Sequence, residues 1–335
     1  MVEFVSLNHG SGGKLSHALI NKVFVDRFGM KLPLTDSAIL EGRGSAIAFT
    51  TDSYVVDPLF FPGGNIGKLA VCGTINDLSV SGASPAFIAA SFIIEEGFPL
   101  KDLAAIAESM AEEADKAGVK IVTGDTKVVE KGKCDKLFIT TSGIGFLKSD
   151  MRYLSEASLV RPSDRLIING PMGNHSIAVL GARNNLSFTT PVISDCASLN
   201  NLIRVLMENC RSVHFMRDLT RGGLAAVLNE LAAMTGSGIV ISESSVPVDD
   251  PVKGLCEMFG FDPFYLANEG KVLIVVGNDE AEKALEILRA DPLGKQAAIV
   301  GEIIPERKNI VILNTSIGGQ RILDMPSVMQ LPRIC

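Results

Sequence analysis

Tryptophan is absent from this chain of 335 residues, and with three tyrosines the aromatic share is only 6%. Its cores must be built from Ala, Val, Ile and Leu, within a hydrophobic total of 47%. Basic residues are not in excess: 31 Lys and Arg face 38 Asp and Glu, a net charge of −7. That argues against nucleic acid, whose backbone binding needs a basic face, and no polybasic membrane patch stands out. No apolar run approaches the roughly 20 residues of a membrane helix. "AFIAASFII" at 86–94 is too short and runs into "EEG". The opening "MVEFVSLNHG" lacks the basic start and apolar stretch of a secretory signal. Six cysteines form no CxxC pair, so they read as reduced thiols of a cytoplasmic protein. Four scattered histidines without ligand spacing argue against zinc, and no GxSxG nucleophile motif occurs.

What is present is length and alternation. A chain of 335 residues exceeds the usual range of a single core, which predicts two domains. Strand-like runs such as "AIAFTT" (46–51), "AFIAASFII" and "KLFITTSGIGFL" alternate with helical ones, the clearest being 99–118, opened by Pro99 and closed by Gly118. Beyond the polar junction 149–164, which holds Pro162, the alternation resumes from "RLIING". The expectation is an α/β fold with an N-terminal domain over 1–155 and a C-terminal α/β domain over 156–322. A flexible tail over 323–335 completes it.

Four aspartates share a setting. Asp52 follows "AIAFTT", Asp125 follows "IVTG", Asp218 follows "VHFMR", and Asp77 sits on the helical segment "GTINDLSVSG". Acids past the carboxyl ends of strands stand where open α/β sheets bind ligands, and carboxylates are what Mg²⁺ shares with nucleotide phosphates. Singly, each reads better as a turn or helix cap; together, among Gly and Thr, they favour a metal–phosphate site. "GDTKVV" adds Thr126 and Lys127, a point charge for a phosphate, and "RDLTRGG" leads into a helix N-terminus suited to anions. "HGSGGKLS", with Gly12 and Gly13, does not fit a Walker-type loop and reads equally as a loose arm or a lid over nucleotide. Glu269, in "LANEGK", could serve as a base if burial raises its pKa, although a turn residue is the default.

The chain ends on "LPRIC". Arg333 would favour a thiolate at Cys335 and the adjacent α-carboxylate would oppose it, so reactivity should rest on exposure and reach. The twelve residues from Asp324, with Pro326 and Pro332 opposing helix, span up to roughly 40 Å when extended.

Taken together, "PLFFPGGNIGKLAVCGTINDLSVSGASP", "IIEEGFP", "GDTKVV", "RDLTRGGLAAVLNE", "ANEGK" and "LPRIC" resemble the HypE family of hydrogenase maturation proteins, nearly end to end. That family shares a superfamily with aminoimidazole ribonucleotide synthetase and selenophosphate synthetase. The resemblance implies an ATP site and a homodimer whose N-terminal sheets form a barrel. It implies that a carbamoyltransferase, HypF, loads a carbamoyl group onto Cys335, and that ATP drives dehydration of this S-carboxamide to an S-cyanide. The cyanide would pass to iron on a HypC–HypD complex, for the CN ligands of [NiFe]-hydrogenase. Asp52, Asp77, Asp125 and Asp218 would then hold Mg²⁺ and ATP, with Thr126, Gly12 and Gly13 on the nucleotide and Asp36 as a further acid. Lys127 would meet the phosphates or the carboxamide oxygen, and Glu269 would be the base. The chain departs from the family pattern at Asn174 and Ser176, around His175, and at Leu219. Two other readings compete. A kinase or synthetase of the selenophosphate type predicts a reactive Cys in the N-terminal arm, and "HGSGGKL" has none. A non-catalytic thiol or metal carrier would leave the four acids without a purpose.

Overall fold

A computed structural model describes residues 12–21, 25, 34–41, 46–147, 151–183, 192–327 and 330–335. Two sheets share no strand. The first runs β1 (Ala38–Glu41), β2 (Ala46–Tyr54), β7 (Leu137–Leu147), β5 (Ser84–Glu95), β6 (Lys120–Val129), and only β5–β6 is parallel. The second has seven strands: β14 (Gln320–Ile322), β13 (Val311–Asn314), β10 (Gly238–Ser242), β12 (Ala298–Ile304), β8 (Arg165–Ile168), β11 (Val272–Val276) and β9 (Val213–Asp218). A two-stranded ribbon, β3 (Phe60–Phe61) with β4 (Gly64–Asn65), precedes the central helix.

That central helix is Ile66–Val80, numbered α2 after α1 (Lys14–Ile20). It starts because Asn65 caps it, accepting from the N–H groups of Gly67 and Lys68. Every residue in it is buried except Lys68 and Asp77, so it is a core helix rather than an amphipathic surface one. Small residues let it lie close to the sheet: a Cβ on Gly73 would stand 2.2 Å from the Tyr54 hydroxyl. By contrast α3 (Leu100–Ala117) is amphipathic; it ends at Gly118 in the left-handed region and buries Ile106, Met110 and Ala114 towards α2. One face of the first sheet is thereby covered. The other keeps Phe49, Phe87, Ile93 and Phe146 exposed, and the ends of the sheet are β1 and β6.

The second sheet packs around Phe215, Leu273, Ile239 and Leu313 against helix Gly223–Thr235, and on its other side around Ile167, Ile274 and Leu285. Among the described residues no helix is long and apolar enough to cross a membrane. Two expectations about placement are corrected. Asp52 and Asp125 lie inside β2 and β6, not after them, because polar alternation on a half-open sheet lets a strand continue through them. The tail, foreseen as an extended arm, is folded back onto the body of its own chain, with Leu323, Pro326 and Ile334 buried.

Candidate active site

Asp77 emerges from α2 at its one acidic position, and Asp218 closes β9. With Asp36, just before β1, their carboxylate oxygens lie within 4.8 Å of one another. Thr50 Oγ1 donates to Asp77 Oδ2 at 2.6 Å, and Arg217 pairs with Asp36 at 3.1 Å and with Glu230. Burial, then the negative charges of Asp52, Asp218 and Asp36, push the Asp77 carboxyl well above the usual carboxylate range. Asp218 is raised in the same way, by burial and then by Asp36 and Asp52. Asp52, which accepts from the Tyr54 hydroxyl at 3.2 Å, is raised chiefly by burial. Crowded, partly desolvated carboxylates that repel one another are unstable as anions unless a cation joins them, and oxygen ligands of this kind suit Mg²⁺. The residues therefore fit the metal the sequence led us to expect.

Glu269 stands on the loop before β11, 3% exposed, with one carboxyl oxygen unpartnered. Its carboxyl is pushed well up by burial and by the charges of Asp218, Asp195 and Asp52. The backbone behind it is anchored: Asp195 accepts from the Glu269 N–H at 3.2 Å and pairs with Lys271 Nζ at 3.0 Å, both side chains buried. Asn76 of α2 donates to the Glu269 carbonyl at 3.3 Å.

Cys335 arrives at the same place. Val55 N–H donates to its main-chain oxygen at 3.1 Å and Asp57 N–H to the carbonyl of Arg333 at 3.2 Å. Arg183 donates to the carbonyls of Pro332 and Arg333 at 2.5 and 3.1 Å, and Arg333 reaches Val55 O at 2.9 Å and pairs with Asp135. Arg333 itself adopts a φ of +53°, a left-handed turn that is strained for a side-chain residue and is held by these contacts. The thiol is half-buried, and its pKa is pushed up to about 12 by burial and then by Glu269, with Arg221 opposing. Unloaded, it is a thiol and not a thiolate, so the near-cancellation of Arg333 against the α-carboxylate does not decide its state; its surroundings do.

The N-terminal arm meets the root of the tail. Gly13 would place a Cβ 1.9 Å from Pro326 O, and Gly12, at φ +74°, one 2.8 Å from Arg221 O, so both positions demand glycine. Lys14 N–H donates to Pro326 O at 3.0 Å. The arm's first residues lie outside the described ones. Asp125, Thr126 and Lys127 are not brought to the acid cluster by this chain: β6 is exposed over nearly its whole length. Lys127 Nζ instead pairs with Asp125 at 2.6 Å, which lowers the Asp125 pKa. Sequence reasoning passed over Asp195, Lys271, Arg183 and Ser194. Lys271 alone carried a signal, as the charged end of "ANEGK" entering an apolar strand.

The models of AIR synthase related proteins match this chain, the N-terminal domain over residues 34–147 and the C-terminal domain over 161–314. The carbamoyl dehydratase HypE of Rhodobacter capsulatus is 48% identical over 99% of this chain and 98% of its own length. The crystal structure of a HypE–HypF complex contains a chain 51% identical to this one, with a TM-score of 0.86 over 92% of this chain and 100% of that chain. HypE crystallised in complex with ATP is 44% identical, with a TM-score of 0.83 over 99% of this chain and 100% of that one.

Proposed function

The chain belongs to the HypE carbamoyl dehydratases, within the AIR synthase related family, and from that premise we propose how its parts act. It is an ATP-dependent enzyme of hydrogenase maturation that turns an S-carboxamide on Cys335 into an S-cyanide. The observation that carries the residue assignment is the docking of Cys335, by its own chain's backbone, beside Glu269, Asp52 and Asp218.

Residues 1–155 form the nucleotide-binding and dimerisation domain, 156–322 the second α/β domain, and 323–335 a tail that leaves its dock to be loaded by HypF and to deliver cyanide to a HypC–HypD complex. The setting is cytoplasmic, in keeping with six free cysteines. Asp36, Asp77 and Asp218, with Asp52 beside them, hold Mg²⁺, which neutralises phosphate charge when bound. Gly12 and Gly13 close the phosphate side together with the start of the helix at Gly223. ATP supplies the phosphoryl group that makes the amide oxygen a leaving group, so the carboxamide gives up its oxygen as phosphate and two N–H protons as the nitrile forms. Glu269 accepts one of these, and its raised pKa makes it a competent base only in its ionised fraction. Desolvation by the docked tail keeps water from competing for the activated carbon.

Lys127 acts from a second copy of the chain. The open apolar face of the first sheet and the ten-residue edge strand β6 call for a covering partner, and a like sheet from another subunit supplies it. That homodimer carries Asp125, Thr126 and Lys127 to the neighbouring site. The test is mass spectrometry of the C-terminal peptide after HypF has carbamoylated Cys335. Adding Mg²⁺ and ATP should remove one water; a carbamoylated tail that survives them would reduce the chain to a carrier.

A further inference from the structure

Resting on the reading of Cys335 as carrier, we propose that His175 is a positioning residue for the dehydration: a buried latch whose ring N–H grips the tail by the Ile334 carbonyl, one residue short of the thiol.

His175 is the second residue of the helix Asn174–Ala182 and is 0% exposed. Its Nε2 lies 2.7 Å from Ile334 O and its Nδ1 2.8 Å from Ser194 Oγ. A carbonyl can only accept, so the proton must sit on Nε2. In the neutral ring Nδ1 then offers a lone pair, and the Ser194 hydroxyl donates to it. Ser194 Oγ in turn accepts from the Cys196 N–H at 3.1 Å, which leaves its own proton for the histidine. Each donor in the relay has one acceptor, and only one ring orientation satisfies all three. Phe61 fixes the plane, its ring perpendicular to the imidazole at 5.3 Å between centroids. Burial lowers the pKa of His175, which keeps the ring neutral and the relay in one sense.

This hydrogen bond from a side chain to the tail is wholly buried. Those from Arg183 reach it from the half-exposed side. The helix carrying His175 belongs to the C-terminal domain, whereas Val55, which holds the main-chain oxygen of Cys335, continues from β2 of the other. The Ile334 carbonyl and the main-chain oxygen of Cys335 are thus pinned from the two domains, which fixes the backbone that carries the thiol. A side chain that holds a reacting group in register contributes to rate without touching the reacting atoms.

Two variants test this. His175→Leu keeps the volume without the donor, and His175→Gln returns an amide N–H near the Nε2 position. The first readout is the rate at which iodoacetamide alkylates Cys335, resolved by mass spectrometry, with the half-buried Cys134 as internal reference. Leu should speed alkylation of Cys335 alone, and Gln should restore part of the protection. The second readout is single-turnover water loss from the carbamoylated tail at saturating Mg²⁺ and ATP. Here Leu should slow the step by roughly ten- to hundredfold, the scale of one lost buried hydrogen bond. Carbamoyl loading and ATP affinity should stay within about twofold, since neither uses the latch. Wild-type alkylation or wild-type dehydration in His175→Leu would overturn the proposal. So would loss of loading, ATP binding and thermal stability together in both variants, which would make the histidine structural. If the wild-type chain itself loses no water, the functional reading falls, while the alkylation rates still decide whether His175 holds the tail.

Discussion

Asp77 and Asp125 stand in motifs of similar composition, "GTIND" and "GDTK", yet the molecule treats them in opposite ways. Asp77 sits on a core helix among other acids, and its carboxyl is driven upward by burial and by the charges of Asp52, Asp218 and Asp36. Asp125 is fully solvent-facing on an edge strand, already paired with Lys127, and its carboxyl is driven downward. The first region crowds like charges that a cation would relieve. The second is satisfied in isolation. One half of the proposed machinery is therefore built within a chain, and the other awaits a neighbour.

The largest expected effect tests what the buried half is for. Cys335→Ser should abolish dehydration outright, while ATP binding, measured by calorimetry, remains; loss of both would mean that the tail is part of the nucleotide site and not a passenger. Next, Asp77→Asn should weaken Mg²⁺-dependent ATP binding by roughly ten- to hundredfold, the worth of one charged contact. It should also raise the melting temperature of the metal-free protein, because one repelling acid has gone. Unchanged binding would remove Asp77 from the metal site.

The exposed half is tested by mixing. Lys127→Ala and Asp77→Ala chains should each be slow alone. In a two-fold dimer that shares sites, the mixed pair carries one doubly damaged and one intact site, so about half of its activity returns. No recovery on mixing would place Lys127 in its own chain's site and break the contrast.

The smallest effect is a pH dependence. A carboxyl whose pKa is raised by folding favours the folded state below its unfolded value, 3.8 for Asp. That advantage is lost as pH rises through the raised folded pKa. The metal-free protein should therefore melt lower as pH climbs from weakly acidic to neutral, and the gain on adding Mg²⁺ should grow over the same window, by a few degrees. A gain that does not change with pH would mean that the cluster is ionised without metal.

Much of this contrast was legible beforehand, and some was not. The helix Leu100–Ala117 announced itself through Pro99, Gly118 and its apolar spacing, and α2 through the helical segment "GTINDLSVSG". The acids could be named because each stands in its own recognisable motif. Their strand positions were misjudged because an Asp in a half-exposed strand looks locally like one that ends it. The helix Asp250–Phe259 and strands β13 and β14 went unnoticed, lying in short segments broken by charge and glycine. The docked tail left no local trace at all. It is held by groups such as Arg183 and His175, some 150 residues away in sequence, and side-chain-to-backbone bonds of that span impose no periodicity.

The bond between Lys14 and Pro326 has a consequence for how often the thiol can meet its site. With the root of the tail fastened at Pro326, nine residues remain to Cys335, a leash of roughly 30 Å at full stretch. A group carried on such a leash meets its own active site at an effective concentration in the millimolar range, whatever the protein's abundance. Once loaded, the carboxamide has no need to be captured from solution, and the frequency of its return is set by chain length rather than by affinity.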